Sequence, residues 1–342
     1  AGGALAIADR DTRWLGRLRF LWGLPLMLLI AGPWLVAITV ATDGGFANES
    51  VGKDLLGKLI HGQESHGAPP GYFLVLALVT FWPGSLALAG AARLAWRERG
   101  ETAIRFLIAW LVPFWLLLEL VPTKLPHYVL PAYPALALLT GRALTDGARR
   151  HWTDLVTCSI WGLVTLGLAL ALLAVPIHFG AGVAPLAATM AAVAVALGAW
   201  QLRSLSTGQA RAWFAIGAAL MLWPAAFGIV APRIDALWLS RSAAALVNDQ
   251  NRTERPVVVA GYSEPSMVFL LGTATKLSSA AEAAEIVSKL PDTLVLVSSR
   301  EDAAFRAALE RRSVSVDSLG EVSGLNYSNG RAVTLTLYET AR

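Results

Sequence analysis

Between two long apolar runs stands the stretch Thr123-Lys124-Leu125-Pro126-His127-Tyr128-Val129-Leu130-Pro131-Ala132-Tyr133-Pro134. It sets an ammonium, an imidazole and a phenol within five residues at the edge of apolar segments. Such a set can hold a lipid phosphate: Lys124 by charge, Tyr128 by a hydrogen bond made while its ring stays in the interface, and His127 beside them. The same residues also describe an interfacial anchor, with a lysine reaching water next to an aromatic belt residue and prolines fixing the turn. Glu119 lies near the end of the preceding apolar run, where a carboxylate is expensive and needs a partner. Lys124 or His127 can be that partner, either in a functional site or in an ion pair that fixes the loop.

A second set of polar groups lies upstream, in Lys53, Lys58, His61, Glu64, His66 and Tyr72. His61, Glu64 and His66 carry donors for a divalent metal, but their spacing matches no standard helical ligand pair and the segment contains glycines. Contacts from Glu64 and His66 to a polar ligand are the alternative. No cofactor is required by any motif. The sequence has no glycine-rich phosphate loop ending in Lys-Ser/Thr, no Gly-x-Ser-x-Gly elbow and no Cys-x-x-Cys pair, which argues against nucleotide hydrolysis.

The elements that must position these groups are membrane helices. Of 342 residues, 55% are hydrophobic and 15% charged, against about 25% charged in soluble domains. Seven segments are long and apolar enough to span a hydrocarbon core, near 20–41, 71–92, 104–122, 128–145, 155–177, 184–202 and 212–231. In lipid each must be helical, because no backbone polar group can be left unpaired there. The expected fold is therefore an α-helical polytopic membrane domain over 1–232, with an outer loop over 43–70, followed by a small α/β soluble domain over 233–342. Leu55, Leu56, Leu59 and Ile60 recur at helical spacing and suggest a short amphipathic helix within that loop.

Lysines and arginines of short loops favour the cytoplasm. The N-terminal tail and alternate gaps after it hold thirteen of them, from Arg10 to Arg211, whereas the intervening gaps hold only Lys53, Lys58 and Lys124. The N-terminus is thus expected inside and the C-terminal domain outside, the reverse of a seven-helix receptor. The net charge of +4 is a topology signal rather than a nucleic-acid footprint. Cys158 is the sole cysteine, so no intramolecular disulfide forms. The chain opens on Ala1 and reads as cut from something longer.

After Arg233 the composition becomes that of a soluble domain. Strands are expected at Pro256–Gly261 and Thr293–Ser298, helices from Ser263, at Ser279–Leu290 and at Glu301–Arg312, and a final strand near the sheet edge at Arg331–Tyr338.

The run Lys124-Leu125-Pro126-His127-Tyr128-Val129-Leu130-Pro131, continuing to Tyr133-Pro134-Ala135-Leu136-Ala137, resembles a signature of the membrane glycosyltransferases related to aminoarabinose transferase and protein O-mannosyltransferase. His66-Gly67-Ala68-Pro69-Pro70-Gly71-Tyr72-Phe73 with Phe81-Trp82-Pro83-Gly84, and Ala260-Gly261-Tyr262-Ser263-Glu264-Pro265-Ser266 with Phe269-Leu270-Leu271-Gly272, resemble two further parts of the same proteins, in the same order. The resemblance implies the C-terminal portion of a bacterial inner-membrane enzyme. Such an enzyme moves a sugar from a polyprenyl-phosphate carrier to lipid A, another lipid or a protein on the periplasmic face, with inversion. It implies a general-base aspartate in a first outer loop, which Asp9 and Asp11 do not match because they fall in the tail expected inside. It also implies donor-site contacts from Lys124, His127 and Tyr128, with Glu119 and Tyr72 nearby and Lys53, Lys58, Glu64 and His66 on a loop that closes over the donor. A non-catalytic scaffold or polyprenyl-lipid binder is the alternative, and a transporter comes third because paired broken helices and buried ionisable residues are lacking.

Overall fold

Apolar runs that cannot leave backbone groups unpaired in lipid become helices, and proline decides where those helices break. The computed structural model describes residues 2–47, 68–146, 152–203, 208–250, 255–328 and 330–341. The outer-loop residues Lys53, Lys58, His61, Glu64 and His66, and the amphipathic helix expected around Leu55–Ile60, lie outside the described residues. Among the described residues, five helices are long and apolar enough to cross a membrane, or six if one bent pair counts as a single span.

In chain order the helices are α1 Gly2–Asp9, α2 Phe20–Ala41, α3 Tyr72–Thr80, α4 Leu88–Arg97, α5 Thr102–Leu120, α6 Tyr133–Thr145, α7 Trp152–His178, α8 Pro185–Arg203 and α9 Gly208–Trp223. Three of the expected spans are altered by proline. The span expected at 71–92 is two helices meeting at 117°. Pro83 has no N–H to give and restricts the residue before it, so α3 stops at Thr80. Gly84 then lets the Phe81 ring fold over the break, where an added Cβ would stand 2.6 Å from it. The segment expected at 128–145 begins as a 3₁₀ stretch, Pro126–Ala132, and only becomes α-helical at Tyr133. The last span is α-helical to Trp223, a π-type stretch over Pro224–Val230, and a final turn at Ala231–Arg233.

The chain divides into two compact units, residues 1–170 with 189–222 and residues 171–188 with 223–342. The first is helical and packs through small residues, as membrane helices do without a hydrophobic drive between them. Ala91, Ala135, Ala191, Ala194, Ala215 and Ala218 are all buried. Gly198 faces the ring of Trp161, 3.4 Å from where a Cβ would be. Trp161 stacks on Trp82 at 6.1 Å, and the Trp82 indole N–H donates to Thr165 Oγ1 at 3.1 Å.

In the second unit a five-stranded sheet has the order β2-β1-β3-β5-β4, with β1 Val257–Ala260, β2 Lys276–Ser278, β3 Leu294–Ser298, β4 Val316–Asn326 and β5 Arg331–Thr340. β1 is parallel to β2 and β3, whereas β5 is antiparallel to β3 and β4. Helices α10 Leu239–Gln250, α11 Pro265–Leu271, α12 Ala280–Lys289 and α13 Asp302–Glu310 accompany it. Strand alternation splits the core: Val257, Val259, Leu294 and Leu296 pack with Met267 and Val247, while Val258, Val295 and Val297 face Ala283, Ala284 and Phe305. The expected elements at 256–261, 279–290, 293–298 and 301–312 are present. The final strand is near the edge, as expected, with one further strand beyond it. β4, whose Asp317, Ser318, Glu321 and Ser323 hide its strand pattern, lies outside it.

Two local features fix this unit and can be tested. Gly261 ends β1 at φ +73°, with Ser298 Oγ 2.3 Å and Glu301 Cγ 2.9 Å from an added Cβ, so Gly261→Ala is expected to cost at least 1 kcal/mol in urea unfolding, roughly the penalty for forcing a side chain into such a site. Ser279 and Glu282 form a reciprocal capping box at the start of α12. Hydrogen bonds from the Ser279 backbone and hydroxyl hold the Glu282 carboxyl below its usual range. That stabilisation is present above the ordinary glutamate value and is lost as pH falls through the lowered folded one. Protection factors at 280–285, corrected for the intrinsic exchange rate, should therefore fall in acid, and Ser279→Ala should show the lower protection already at neutral pH, with a cost of about 1 kcal/mol.

Candidate functional site

A helix leaves its last carbonyls and its first N–H groups without partners. Two charged side chains close two such ends here. Lys124 follows α5 by a few residues, in an extended segment that turns back so that Nζ donates to the carbonyls of Leu118 at 3.2 Å, Glu119 at 2.7 Å and Val121 at 2.9 Å. All three ammonium protons are thereby used. Glu119, the penultimate residue of α5, accepts from the backbone N–H of Gly71 at 2.8 Å, Phe73 at 3.1 Å and Leu74 at 3.3 Å, which closes the start of α3. The two charges sit 3.9 Å apart.

The pair is shielded. The Lys124 side chain is 1% exposed and that of Glu119 12%, and the Phe73 ring centroid lies 5.7 Å from Nζ. Lys124 is therefore not the water-reaching anchor that one sequence reading describes: its chain is too enclosed to extend outward. Glu119 has found the partner its depth requires, with Lys124 rather than His127. It sits at the very end of α5.

The turn after Lys124 presents the other residues of the motif. His127 is exposed, Tyr128 is half-buried, and their rings meet edge to face at 5.0 Å. Tyr128 packs on the buried cluster of Phe73, Val129 and Ala132, and Tyr72 packs on the same cluster from the start of α3. Tyr133 stacks edge-on against Phe81 at 5.1 Å and hydrogen-bonds Thr80. The structure thus gathers Glu119, Lys124, His127, Tyr128 and Tyr72 at one end of the first unit. Phe73 completes this end from the start of α3, while Thr80 and Phe81 at the other end of α3 hold Tyr133; the spacing of the Lys124 to Pro134 stretch carried no sign of either contact.

Beside this end runs an apolar groove of about 600 Å³. Its walls include Leu74, Trp115 and Leu116 next to the Glu119 contacts, Ala92 and Ala95 along α4, and Arg99 at the far end. The bend at Pro83 opens it by turning α4 away from the line of α3. At the opposite end, α4 and α7 join through Arg93 and Asp154 at 2.6 Å, and Arg97 meets Asp146 at 2.5 Å. Among the described residues no three His, Cys, Asp or Glu side chains form a metal-holding group.

Removing the Lys124 charge strands Glu119 and three carbonyls inside the unit. Lys124→Met is expected to cost about 3 kcal/mol or more, the usual penalty for breaking a buried pair. Glu119→Gln added to it should cost less than the sum of the single changes, by a coupling visible in thermal unfolding of the purified chain.

No protein-family model matches the chain. Curated proteins do match: an undecaprenyl phosphate-alpha-4-amino-4-deoxy-L-arabinose arabinosyl transferase of Pseudomonas paraeruginosa is 33% identical over 147 residues, 43% of this chain and 26% of that protein. One from Pectobacterium carotovorum is 27% identical over 154 residues, 45% of this chain and 28% of that protein. The crystal structure of ArnT from Cupriavidus metallidurans bound to undecaprenyl phosphate superposes with a TM-score of 0.67 at 18% identity, covering 98% of this chain and 64% of that one. The same protein in its apo state superposes equally well. The chain spans less than two thirds of that structure, and its matches cover about a quarter of the two curated relatives. With the fold of ArnT over nearly all its length and sequence identity over part of it, this polytopic membrane chain is similar to the undecaprenyl phosphate-aminoarabinose arabinosyl transferases.

Proposed function

We propose that the chain is part of a bacterial inner-membrane glycosyltransferase that moves a sugar, of the aminoarabinose kind, from a polyprenyl phosphate to lipid A or another acceptor on the periplasmic face. The observation that carries this reading is the apolar groove whose wall residues Leu111 and Trp115 also pack on the cluster that holds Tyr72 and Tyr128. An isoprenoid chain needs a long wall without polar groups, and its phosphate needs donors at the mouth. The named relatives act on such a carrier, and one ArnT structure holds undecaprenyl phosphate.

In this reading the isoprenoid lies along α4 and α5, and the phosphate sits by Tyr72, His127 and Tyr128. Lys124, spent on carbonyls, holds that turn in place and adds fixed positive charge in a medium of low dielectric, where charge acts at a distance. The acceptor hydroxyl, deprotonated by a carboxylate base, attacks the anomeric carbon; the C–O bond to phosphate breaks and the carrier leaves as the polyprenyl phosphate. Stabilising that leaving charge is the task of the donors at the mouth.

In the intact polypeptide, His127→Ala and Tyr128→Phe should each lower sugar transfer to lipid A on the order of tenfold or more without preventing membrane insertion. Ala92→Trp, which fills the groove, should remove polyprenyl phosphate retained in native mass spectrometry. Near-normal transfer in the first two variants would remove the phosphate role. Unchanged lipid retention in the third would remove the groove. For orientation, a periplasm-dependent reporter fused after Gly330 should be active and one after Asp146 silent; the reverse pattern would overturn the charge-based topology.

A further inference from the structure

The last apolar span does not hand over to the α/β fold through a free linker. The turn Asp235–Trp238 doubles back, and the Trp238 indole N–H donates to the carbonyl of Ala231 at 2.8 Å, in the final turn of the span. Ile234 between them is buried. The first turn of α10 therefore starts at the level where the span ends. Ser240 in that turn hydrogen-bonds Tyr262 at 3.0 Å and Ser266 at 2.7 Å, which ties α11 to the same level. Ser328 donates to Glu264 at 2.7 Å and brings the β4–β5 turn alongside.

The surface this assembles differs from the rest of the unit. α12 exposes Glu282, Glu285 and Lys289, and α13 exposes Arg306 and Glu310, as solvated helices do. From Pro265 to Thr275 there is no charged residue. Phe269 is 87% exposed and Leu270 41%, next to Trp238 at 44% and Tyr327 at 61%. Arg233 and Arg241 flank Trp238 in the chain and are exposed, with Asp235 the one acid among them. Exposed aromatics with flanking arginines, one turn from the end of a span, are the composition of a membrane interface.

We infer that the face formed by Trp238, Phe269, Leu270 and Tyr327 rests in the lipid interface, so that the α/β unit is held against the bilayer by its own apolar edge as well as by the span that precedes it. The occupant of this face is lipid, because the hydrogen bond from Trp238 to Ala231 makes the face continuous with the lipid-exposed end of the span, where Phe227 is 70% exposed.

The test uses the full chain in phosphatidylethanolamine/phosphatidylglycerol nanodiscs with Cys158→Ala, which removes the only cysteine. A nitroxide is placed at Phe269→Cys or, as a reference on a charged helix, at Glu310→Cys. Collision with oxygen relative to a water-soluble nickel chelate should be severalfold higher at 269 than at 310. Equal ratios would overturn the proposal by showing water at Phe269. Protection from both reagents would overturn it too, by showing a protein cover. Phe269→Ser with Leu270→Ser should also speed hydrogen exchange across 265–271 in nanodiscs while leaving 280–289 unchanged; no change at 265–271 would count against lipid contact.

Discussion

The Lys124 ammonium and the Glu119 carboxylate, 3.9 Å apart, close the end of one helix and the beginning of another. Neither charge would be stable alone at this depth. Lys124 satisfies the carbonyls that α5 leaves open, Glu119 satisfies the N–H groups that α3 leaves open, and each lowers the cost of burying the other. The helices on either side of the groove are thus fixed by groups that the backbone itself demands. Everything at this end, from the Phe73 cluster to the placement of His127 and Tyr128, follows from that clasp.

Proline supplies the complementary constraint. At Pro83 it stops α3 and lets α4 leave at a sharp angle, which separates the walls of the groove. At Pro126 and Pro131 it keeps the turn after Lys124 in a 3₁₀ form, so that exposed His127 and half-buried Tyr128 alternate with buried Val129. Small residues then bring the helices close enough for tryptophans to act as spacers, as Trp161 does over Gly198. The result is an end with polar groups beside an apolar groove.

The second unit repeats the theme with different materials. Its sheet is covered on both faces, so β1 and β3 read as continuous apolar runs and are plain in the sequence. Helix caps and tight approaches, such as Ser279 with Glu282 and Gly261 against Ser298, set its register. α11 is the exception among its helices, with apolar side chains on its outer surface where the others carry charge.

Composition and hydropathy by themselves determined that this is a helical membrane protein that also carries a small α/β fold, because burial in lipid leaves the backbone of the apolar runs no other choice than helix. The Lys124 to Pro134 stretch was legible as a site for the same reason: polar groups at an apolar edge are costly enough to need a purpose. What sequence could not reveal was how those groups are spent. Whether a lysine reaches outward or inward depends on whether the chain after the helix turns back over the helix end, as it does here to bring Lys124 onto the carbonyls of Leu118, Glu119 and Val121, and only the fold sets that. The strand β4 was hidden because a half-exposed strand with polar and glycine residues has no clean alternation. The position of the final strand inside the sheet depended on β4, and the partner of Glu119 on the path of the chain around Pro122 and Pro126. Local chemistry selected the residues; tertiary structure decided their partners, because hydrogen bonds to backbone ends are made by proximity in space and leave no trace in spacing along the chain.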